Sequence, residues 1–302
     1  MHVHINIVTL NKILIADAGS TKISWAYRDL LCPGNSAVLT TGGFNPLLAC
    51  DAELSERLGA IRPLLPGAVD AVWFYGAGCA TAQVCAKVSE VLGRLAGTDR
   101  VEVESDLLGA TRGLLGDTPG VACILGTGSN SCEYDGEKTV GHTPSLGYAL
   151  GDEGSGNALG RRVVTDALKG VMPQSLATRI MSQYNLSAEQ AIEAVYRRPQ
   201  PGRWLASFAP VLSATIEDPS ATEQERRYAE AVVFEELGRF ADRNLMHYSR
   251  QALRNVCFAG SVAVAFEPQL RRAMQERGIR VEKVVKSPLE GLVQYHESHL
   301  KA

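Results

Sequence analysis

The sequence lacks the features that define several large protein classes. It has no Gly-x-x-x-x-Gly-Lys-Ser/Thr motif and no Gly-x-Gly-x-x-Gly after its first strand, which excludes a Walker-type phosphate loop and the usual dinucleotide-binding fold. No stretch approaches the roughly 18 apolar residues of a membrane span. Lysine and arginine are scattered and the net charge is −3, so neither nucleic acid nor an anionic membrane surface is expected as the main partner.

Cysteine is present but forms no recognisable pattern. The 7 cysteines include no Cys-x-x-Cys pair and no histidine at metal-ligand spacing, which is typical of reduced intracellular thiols. The first 15 residues have no basic leader and no small-residue cleavage site, so we expect no signal peptide. With 302 residues, of which 45% are hydrophobic and 21% charged, the sequence predicts a cytoplasmic enzyme of two domains.

Strand and helix patterns alternate along the chain, and the same order occurs twice. The first half predicts strands at 12–17, 21–27 and 37–41, a helix at 53–65, a strand at 71–75, a helix at 81–95 and a strand at 101–104. After a helix at 107–115, the second half predicts strands at 121–125, 130–134 and 139–141, helices at 156–169, 175–184, 188–196, 204–214 and 221–248, then strand 255–259, helix 262–276, strand 280–285 and helix 289–299. Two such halves indicate an α/β fold that arose by duplication, with a mixed sheet in each half.

The first of three glycine-rich turns follows the first apolar strand. It opens with a carboxylate and continues with small residues, hydroxyls and an ammonium, in the order Asp17-Ala18-Gly19-Ser20-Thr21-Lys22. Small residues let the backbone approach a ligand closely, and one carboxylate facing a phosphate is a reasonable Mg²⁺ site. The turn therefore predicts phosphate binding, and the alternative is a β-hairpin with a polar tip.

The second turn, at residues 125–130, has the equivalent position in the second half and reads Leu-Gly-Thr-Gly-Ser-Asn. Two such turns facing each other across a cleft can hold a triphosphate with N–H and hydroxyl donors. The third turn, at residues 258–262, leads from a strand through Gly260 and Ser261 into a helix, where a base or a ribose can lie against the backbone. Its alternative is an ordinary strand–helix junction with Ser261 as the N-cap.

Two acidic segments complete the set of candidate site residues. Asp106 follows the strand at 101–104, near the predicted cleft between the domains. Transfer of phosphate to an alcohol needs a carboxylate that accepts the hydroxyl proton, which makes Asp106 a candidate catalytic base, and the alternative is an N-cap of helix 107–115. Asp152 lies in the glycine-rich segment 151–156 and either caps the helix that follows or accepts hydrogen bonds from sugar hydroxyls.

In this order, the motifs resemble those of the N-acetylglucosamine kinase family. That family belongs to the sugar kinase, actin and heat-shock-chaperone ATPase superfamily, and its relatives include BadF/BadG-type ATPases. The resemblance rests on Asp-x-Gly-Ser-Thr-Lys at 17–22, Gly-x-Asn-Pro at 43–46, Gly-x-Gly at 76–78, Ser-Asp at 105–106, Gly-Thr-Gly-Ser-Asn at 126–130, Gly-Asp-Glu-Gly-Ser at 151–155 and Ala-Gly-Ser-Val at 259–262. It extends from residue 13 to about residue 296, and segment 287–292 also matches the last helix of the family.

The resemblance implies a role for each matching residue. Asp106 would be the catalytic base, and Asp17 would orient Mg²⁺ through water. Thr21 and Thr127 would meet the β- and γ-phosphates of ATP. The other implied nucleotide-binding residues are Gly19, Ser20, Lys22, Gly126, Gly128, Gly260, Ser261, Val262 and Ala263. The implied sugar-binding residues are Asn45, Ser129, Asn130, Gly147 and Asp152.

The same resemblance implies a fold of two ribonuclease-H-like, actin-like ATPase domains. Each would have a mixed five-stranded sheet flanked by helices, with ATP in the cleft between the domains. The domains would be residues 1–105 with the C-terminal helix 288–302, and residues 106–287 with a helical insertion at 172–248. The implied activity is phosphorylation of the C6 hydroxyl of an N-acetylhexosamine, above all N-acetylglucosamine, and a homodimer is compatible with the family.

Other activities stay open on the sequence alone. A kinase for N-acetylmuramic acid or glucosamine would have the same motifs. A BadF/BadG-type ATPase that closes on a protein partner would not need Asn45 and Asp152, and a sugar sensor without phosphoryl transfer would not need Asp17 and Asp106. Superfamily members that activate dehydratases hold an iron–sulfur cluster between subunits, but none of the cysteines here lies in a motif assignable to that role.

Overall fold

The computed structural model describes residues 10–44, 46 and 49–301, the last of these by its backbone only. The strands are β1 (Lys12–Ala18), β2 (Lys22–Asp29), β3 (Ala37–Gly42), β4 (Ala71–Gly76), β5 (Val101–Ser105), β6 (Gly120–Leu125), β7 (Ser129–Tyr134), β8 (Thr139–Thr143), β9 (Val256–Ala259) and β10 (Val281–Val285). The longer helices are α1 (Asp51–Gly59), α2 (Ala82–Ala96), α3 (Asp106–Leu115), α4 (Gly147–Leu150), α5 (Gly156–Leu168), α6 (Gln174–Gln183), α7 (Ala188–Tyr196), α8 (Pro201–Ala206), α9 (Pro210–Glu217), α10 (Glu223–Phe240), α11 (Ser261–Ala265), α12 (Glu267–Gln275) and α13 (Leu289–Lys301). Single 3₁₀ turns lie at Pro33–Asn35, Arg62–Leu64 and Ala252–Arg254, and a π turn at Ala241–Leu245 continues α10.

The chain divides into two compact units, and each contains one five-stranded sheet. Unit 1 is Met1–Gly113 with Pro288–Ala302, and unit 2 is Leu114–Ser287. The strand orders are β3-β2-β1-β4-β5 and β10-β9-β6-β7-β8. In both sheets the first three strands of the unit pair antiparallel and the last two join in parallel. The predicted fold class is confirmed, and the equivalent order is the one expected from duplication. The predicted functional domains, 1–105 with 288–302 and 106–287, stay a prediction.

The sheet of unit 1 is covered by helices on both faces. Four consecutive residues of β1, 13 to 16, are buried, which is the pattern of a central strand with no solvent-facing side. Because side chains alternate along a strand, Ile13 and Ile15 pack with Leu292 of α13 on one face. Leu14 and Ala16 lie on the opposite face, in the core shared with α1 and α2. Helix α13 therefore completes unit 1 from the far end of the sequence.

The sheet of unit 2 carries a larger helical layer. Helix α10 begins at a capping box in which the side chains of Thr222 and Glu225 each bond the other residue's backbone N–H. Its Val233 and Leu237 are fully buried in a core that also contains residues of β6, α5 and α12. Among the described residues, no helix is both long and apolar enough to cross a membrane.

The predicted extents of three helices are wrong, and a proline lies at or near each error. The segment 204–214 is divided between α8 and α9, because Pro210 is the first residue of α9 and its ring and missing N–H do not allow the preceding helix to continue. The segment 262–276 is likewise divided, with Pro268 in the first turn of α12. The predicted helix 53–65 ends at Gly59, and Pro63 lies in the 3₁₀ turn that follows. The short helix α4 has no counterpart in the prediction.

Candidate active site

The first glycine-rich turn connects β1 to β2 in unit 1. The Gly19 N–H donates to the Lys22 carbonyl at 2.9 Å, which closes the turn. The Gly43 N–H, just beyond β3, donates to the Thr21 carbonyl at 2.9 Å. A Cβ on Gly43 would collide with the Gly19 carbonyl oxygen and the Lys22 amide nitrogen, so this position requires glycine. Ser20, Thr21 and Lys22 are exposed at the tip of the turn. Sequence reasoning found the turn but missed that Gly43 supports it.

Two carboxylates lie at one edge of the unit 1 sheet. Strands β1, β4 and β5 are parallel, so their carboxyl ends meet at the same edge, where α/β proteins commonly bind ligands. Asp17 pairs with Tyr75 of β4, and Gly76, the last residue of β4, pairs with Ser105 of β5. Asp106 follows Ser105 directly. The topology therefore brings together the residue predicted to orient Mg²⁺ and the predicted catalytic base.

The structure excludes the alternative in which Asp106 is the N-cap of α3. The Ser105 hydroxyl accepts the Leu108 N–H at 3.2 Å, which is the bond of an N-cap side chain, and Asp106 is the first helical residue. The backbone N–H groups of Leu107 and Asp106 lie close enough to the Asp106 carboxylate to favour its charged form. Sequence alone does not separate these assignments, because serine and aspartate cap helices about equally well.

The electrostatic setting of Asp106 makes it an unusually basic carboxylate. Its burial, and in second place the negative charge of Asp17, raise the pKa of Asp106 to about 6. The backbone N–H groups of Leu107 and Asp106 act in the opposite direction. A carboxylate in a poorly solvated position beside another carboxylate holds a proton more tightly than one in water. Strongly shifted pKa values of this kind concentrate at functional sites.

The second glycine-rich turn connects β6 to β7 in unit 2, and the start of α5 supports it. The Gly126 N–H donates to the Gly128 carbonyl at 2.9 Å within the turn. The Gly156 N–H donates to the Gly126 carbonyl at 2.8 Å, and the Asn157 N–H donates to the Thr127 carbonyl at 3.0 Å. The backbone of the turn is thus bonded to the first two residues of a helix.

Asp152 is buried against this second turn. Its Oδ1 accepts the Ser129 N–H at 3.1 Å, and its Oδ2 accepts the side-chain amide of Asn157 at 2.8 Å. It does not cap α5, because the Ser155 hydroxyl accepts the Ala158 N–H and occupies the N-cap position. Burial is the main reason why the pKa of Asp152 is raised, and the hydrogen bonds from Asn157 and Ser129 oppose that shift. The helix-capping interpretation of Asp152 is therefore wrong.

The third glycine-rich turn lies against the second one. Gly260 has a φ of 129°, and a Cβ there would collide with the Leu125 carbonyl oxygen, so only glycine fits between β9 and α11. Ser261 is the first residue of α11 and makes no capping bond, which excludes its predicted alternative as an N-cap. Val262 and Ala263 are buried behind it.

A pocket of about 190 Å³ opens in unit 2 at this junction. It is lined by Gly126, Thr127, Gly156, Ala206, Ala209, Pro210, Ser213, Ser261, Val262, Ala265 and Phe266. Four predicted nucleotide-binding residues share this wall, whereas Ala263 belongs to the core behind it. The part contributed by α8, α9 and the residues between them was missed by sequence reasoning, because small residues in a helical stretch form no motif. The pocket has no charged side chain and suits a flat, neutral group.

The predicted sugar-binding residues of unit 2 lie around the second turn. Asn130 Oδ1 accepts the Ser131 N–H at 3.0 Å and lies 3.1 Å from His142 Nε2. Gly147, with a φ of 72°, begins α4, and its carbonyl accepts the Gly151 N–H one residue before Asp152. The Ser129 hydroxyl is buried and makes no hydrogen bond within the described part of the chain. Asn45, predicted to bind sugar, lies outside the described residues.

The donor set fits a magnesium ion rather than a structural metal. Across residues 10–44, 46 and 49–301, no group of three or more His, Cys, Asp or Glu side chains is arranged to hold a metal. Mg²⁺ is commonly bound through one or two carboxylates together with water and substrate phosphates. Asp17, close enough to Asp106 to raise its pKa, is a donor of that kind.

Known proteins were compared with the chain at the levels of sequence and structure. No protein-family model and no curated protein matches the sequence. A solved structure of a candidate N-acetylglucosamine kinase from Porphyromonas gingivalis is similar at 38% identity and a TM-score of 0.81, over 95% of this chain and 99% of that one. A second candidate N-acetylglucosamine kinase, from Chromobacterium violaceum, is similar at 21% identity and a TM-score of 0.68, over 95% and 99% of the two chains.

A more distant structure shares the fold. It is a ROK family glucokinase from Streptomyces griseus in complex with glucose and AMPPNP, at 16% identity and a TM-score of 0.54 over 95% of this chain and 98% of that one. The identity of the last two structures to this chain is low enough that they inform on fold alone. The similarity to the Porphyromonas gingivalis protein extends over 95% of this chain and therefore includes most of both units.

Proposed function

Since the chain belongs to the N-acetylglucosamine kinase family and is a sugar kinase, we propose that it is a cytoplasmic enzyme that phosphorylates the C6 hydroxyl of an N-acetylhexosamine with ATP. N-acetylglucosamine is the substrate that we favour, because the relative with 38% identity is a candidate N-acetylglucosamine kinase. The observation that carries the proposal is the pair of carboxylates at the edge of the unit 1 sheet. One of them, Asp106, has a pKa raised to about 6 by burial and by Asp17.

Asp106 acts in this proposal as the general base. It accepts the proton of the sugar hydroxyl as that oxygen attacks the γ-phosphorus of ATP. A general base works best when its pKa is near the pH of the reaction, and an ordinary aspartate is too acidic for that. The Leu107 N–H lies close to the carboxylate and favours its charged form. Because Ser105 takes over the capping of α3, the carboxylate of Asp106 is not needed for the helix.

The two phosphate-binding turns and the unit 2 pocket hold the nucleotide in this proposal. Thr21 and Thr127, with the backbone N–H groups of their turns, bind the phosphates and stabilise charge on the transferred group. Asp17 would hold Mg²⁺ through water, and the ion would supply charge neutralisation at the phosphates. The neutral pocket beside Gly126 and Ser261 takes the nucleoside.

The sugar-binding residues are proposed from the family resemblance, with support from their grouping in unit 2. Asn130 is the last residue of the second turn, and Asp152 accepts the Ser129 N–H of that turn. The Gly147 carbonyl accepts the N–H of Gly151, the neighbour of Asp152. Asn45 is assigned by its motif alone. Polar groups that bond each sugar hydroxyl reject analogues without that hydroxyl strongly, so these residues would set the substrate preference.

The test is a substrate panel with purified protein and MgATP. ADP release is followed by a coupled assay with N-acetylglucosamine, N-acetylmuramic acid, glucosamine and glucose, and the phosphorylated position is located by NMR. We expect ADP release that depends on sugar, fastest with N-acetylglucosamine, and phosphate on C6. Faster turnover with another amino sugar would replace the substrate and keep the reaction. Slow ATP hydrolysis that no sugar changes would contradict the proposal and favour a partner-driven ATPase.

A further inference from the structure

The arrangement around Asp152 is more elaborate than sugar binding requires. Both of its carboxylate oxygens accept hydrogen bonds from unit 2, one from the Ser129 N–H and one from the Asn157 amide. The same Asn157 donates its backbone N–H to the Thr127 carbonyl at 3.0 Å. Asp152 and Asn157 thus hold the second turn from two sides, at Thr127 and at Ser129.

The packing leaves this turn little freedom. An ideal Cβ on Gly128 would lie 3.0 Å from both carboxylate oxygens of Asp152, so the carboxylate fills the space beneath the turn. Asp152 and Asn157 are 7% and 2% exposed, which removes water as a competitor for their bonds. Hydrogen bonds to a buried charged group are stronger than those between neutral groups.

The backbone at Asp152 indicates that the side chain is required there. Its φ is 56°, in the left-handed region that glycine adopts most easily, and glycines stand on either side at 151 and 154. An aspartate in that conformation is retained at an energetic cost, and the buried carboxylate adds a second cost. The two bonds that it accepts offset both costs.

We propose that Asp152 and Asn157 are positioning residues that fix the second turn in the shape that receives the phosphates of ATP. This inference rests on the proposed function, since it takes residues 126–129 to be a phosphate-binding turn. It gives Asp152 a role in nucleotide binding in addition to the sugar contact implied by the family resemblance. It also assigns a role to Asn157, which no motif identified.

The chemistry of the pair allows a reciprocal exchange as the test. In Asp152→Asn, the new amide has only one oxygen to accept from the Ser129 N–H and the Asn157 side-chain amide. One of these two donors would therefore face the NH₂ group of the new amide. In Asn157→Asp, two carboxylates face each other at the distance of a hydrogen bond. The double variant Asp152→Asn with Asn157→Asp restores one donor and one acceptor between the two side chains, with an oxygen left for the Ser129 N–H. Its formal charge equals that of the wild type.

The measurement is the affinity for a non-hydrolysable ATP analogue with Mg²⁺, by calorimetry and without sugar. We expect each single variant to bind about tenfold more weakly or worse, since a charged hydrogen bond is lost, and the double variant to regain most of the affinity. In steady-state assays, the KM for ATP should follow the same order. Asp99→Asn, an exposed aspartate in unit 1, is the matched control and should bind as the wild type does.

The outcomes separate this proposal from the proposed function. If the wild type does not bind the analogue, both are overturned. If the wild type binds and the single variants match it, or if the double variant is no better than the weaker single variant, the positioning role is overturned and the kinase proposal stands. If only the KM for sugar increases, Asp152 contacts the sugar and does not position the second turn, so its positioning role is overturned. If the single variants fail to fold, Asn157→Ala removes one donor without repulsion, and its affinity decides.

Discussion

The first two glycine-rich turns occupy equivalent places in equivalent sheets, yet the carboxylates near them have different surroundings. Asp17 lies close to a second carboxylate, Asp106, whose pKa is raised to about 6 by burial and, in second place, by the charge of Asp17. Asp152 lies beside donors, and both of its oxygens accept bonds within unit 2. Donors that bond a carboxylate also fix the loop to which they belong, whereas burial beside another carboxylate raises the pKa towards the range that suits a general base.

The comparison also concerns how each turn is supported. The first turn is held across the sheet by the close approach of Gly43, a contact without a side chain. The second is held by the start of α5 and by a buried ionic hydrogen-bond pair. The two units share the turn and the strand order, and in each turn the threonine carbonyl accepts a backbone N–H, from Gly43 in unit 1 and from Asn157 in unit 2, but the other supports of the two turns differ. Substitutions at these supports should therefore have different consequences in the two units.

The largest expected effect comes from removing the proposed proton acceptor, Asp106, at the start of α3. Asp106→Asn keeps the size of the side chain but cannot accept the hydroxyl proton, so we expect turnover to fall about 10²–10⁴-fold. Affinity for an ATP analogue, measured by calorimetry, should stay within a factor of a few. Turnover close to the wild-type value would mean that Asp106 is not the base. The comparison would then show no difference in chemical role between Asp106 and Asp152.

A smaller effect is expected from filling the space at Gly43. In Gly43→Ala the new methyl group meets backbone atoms of the first turn that cannot move aside, so we expect a loss of about 1–3 kcal/mol in the free energy of unfolding. Gly126→Ala in the second turn is the control, because no heavy atom lies within 4 Å of the added carbon. Chemical denaturation of both variants measures the difference. Equal stability of the two variants would mean that the first turn is not held by close approach.

The smallest expected effect is a dependence of stability on pH. The pKa of Asp106 is raised to about 6 in the folded protein, so the folded state holds this proton more tightly than the unfolded chain does. The corresponding stabilisation is fully present below about pH 4 and is lost as the pH rises through about 6. Without metal or nucleotide, Asp106→Asn should therefore melt roughly 2–4 °C higher than the wild type at pH 8, with the difference vanishing near pH 4.

Thermal melting of both proteins in a chelating buffer at four or five pH values tests this expectation. Asp99→Asn is the matched control, and its melting temperature should follow that of the wild type throughout. If Asp106→Asn melts below the wild type at pH 8, burial and the charge of Asp17 do not raise the pKa of Asp106 in the folded protein, and the contrast with Asp152 loses its electrostatic basis.

Much of the fold follows from the sequence because burial leaves a clear pattern. Strands such as β1 and β9 are continuous apolar runs, as expected of central strands, and their bounds agree with the prediction to within one residue. The helices that contain Pro210 and Pro268 were misjudged because helical spacing of apolar residues continues across both prolines. At these two positions the geometry of the ring outweighs the pattern of burial.

The candidate site is predictable where it depends on local sequence and not where it depends on packing. The turns and Asp106 follow strands directly, so their position along the chain identifies them. The support from Gly43 depends on the pairing of β2 with β3, and the pocket wall at Ala206 and Ser213 depends on how α8 and α9 fold over the second turn. Asn157 is an ordinary helical residue by its sequence. Only the contacts with Asp152 and Thr127 distinguish it.

Helix α13 has a consequence for the order in which the protein is made. Ile13, Ile15 and Ala26 are fully buried with Leu289, Leu292 and Val293, which the ribosome adds only after the whole of unit 2. Chains usually fold from the N-terminus as they emerge, but here the sheet of unit 1 has an apolar face that stays uncovered until α13 has been made. Unit 2, a continuous segment, has all of its parts earlier. Unit 1 is therefore begun before unit 2 but completed after it, and a nascent chain stalled before residue 289 would expose that face to chaperones or to aggregation.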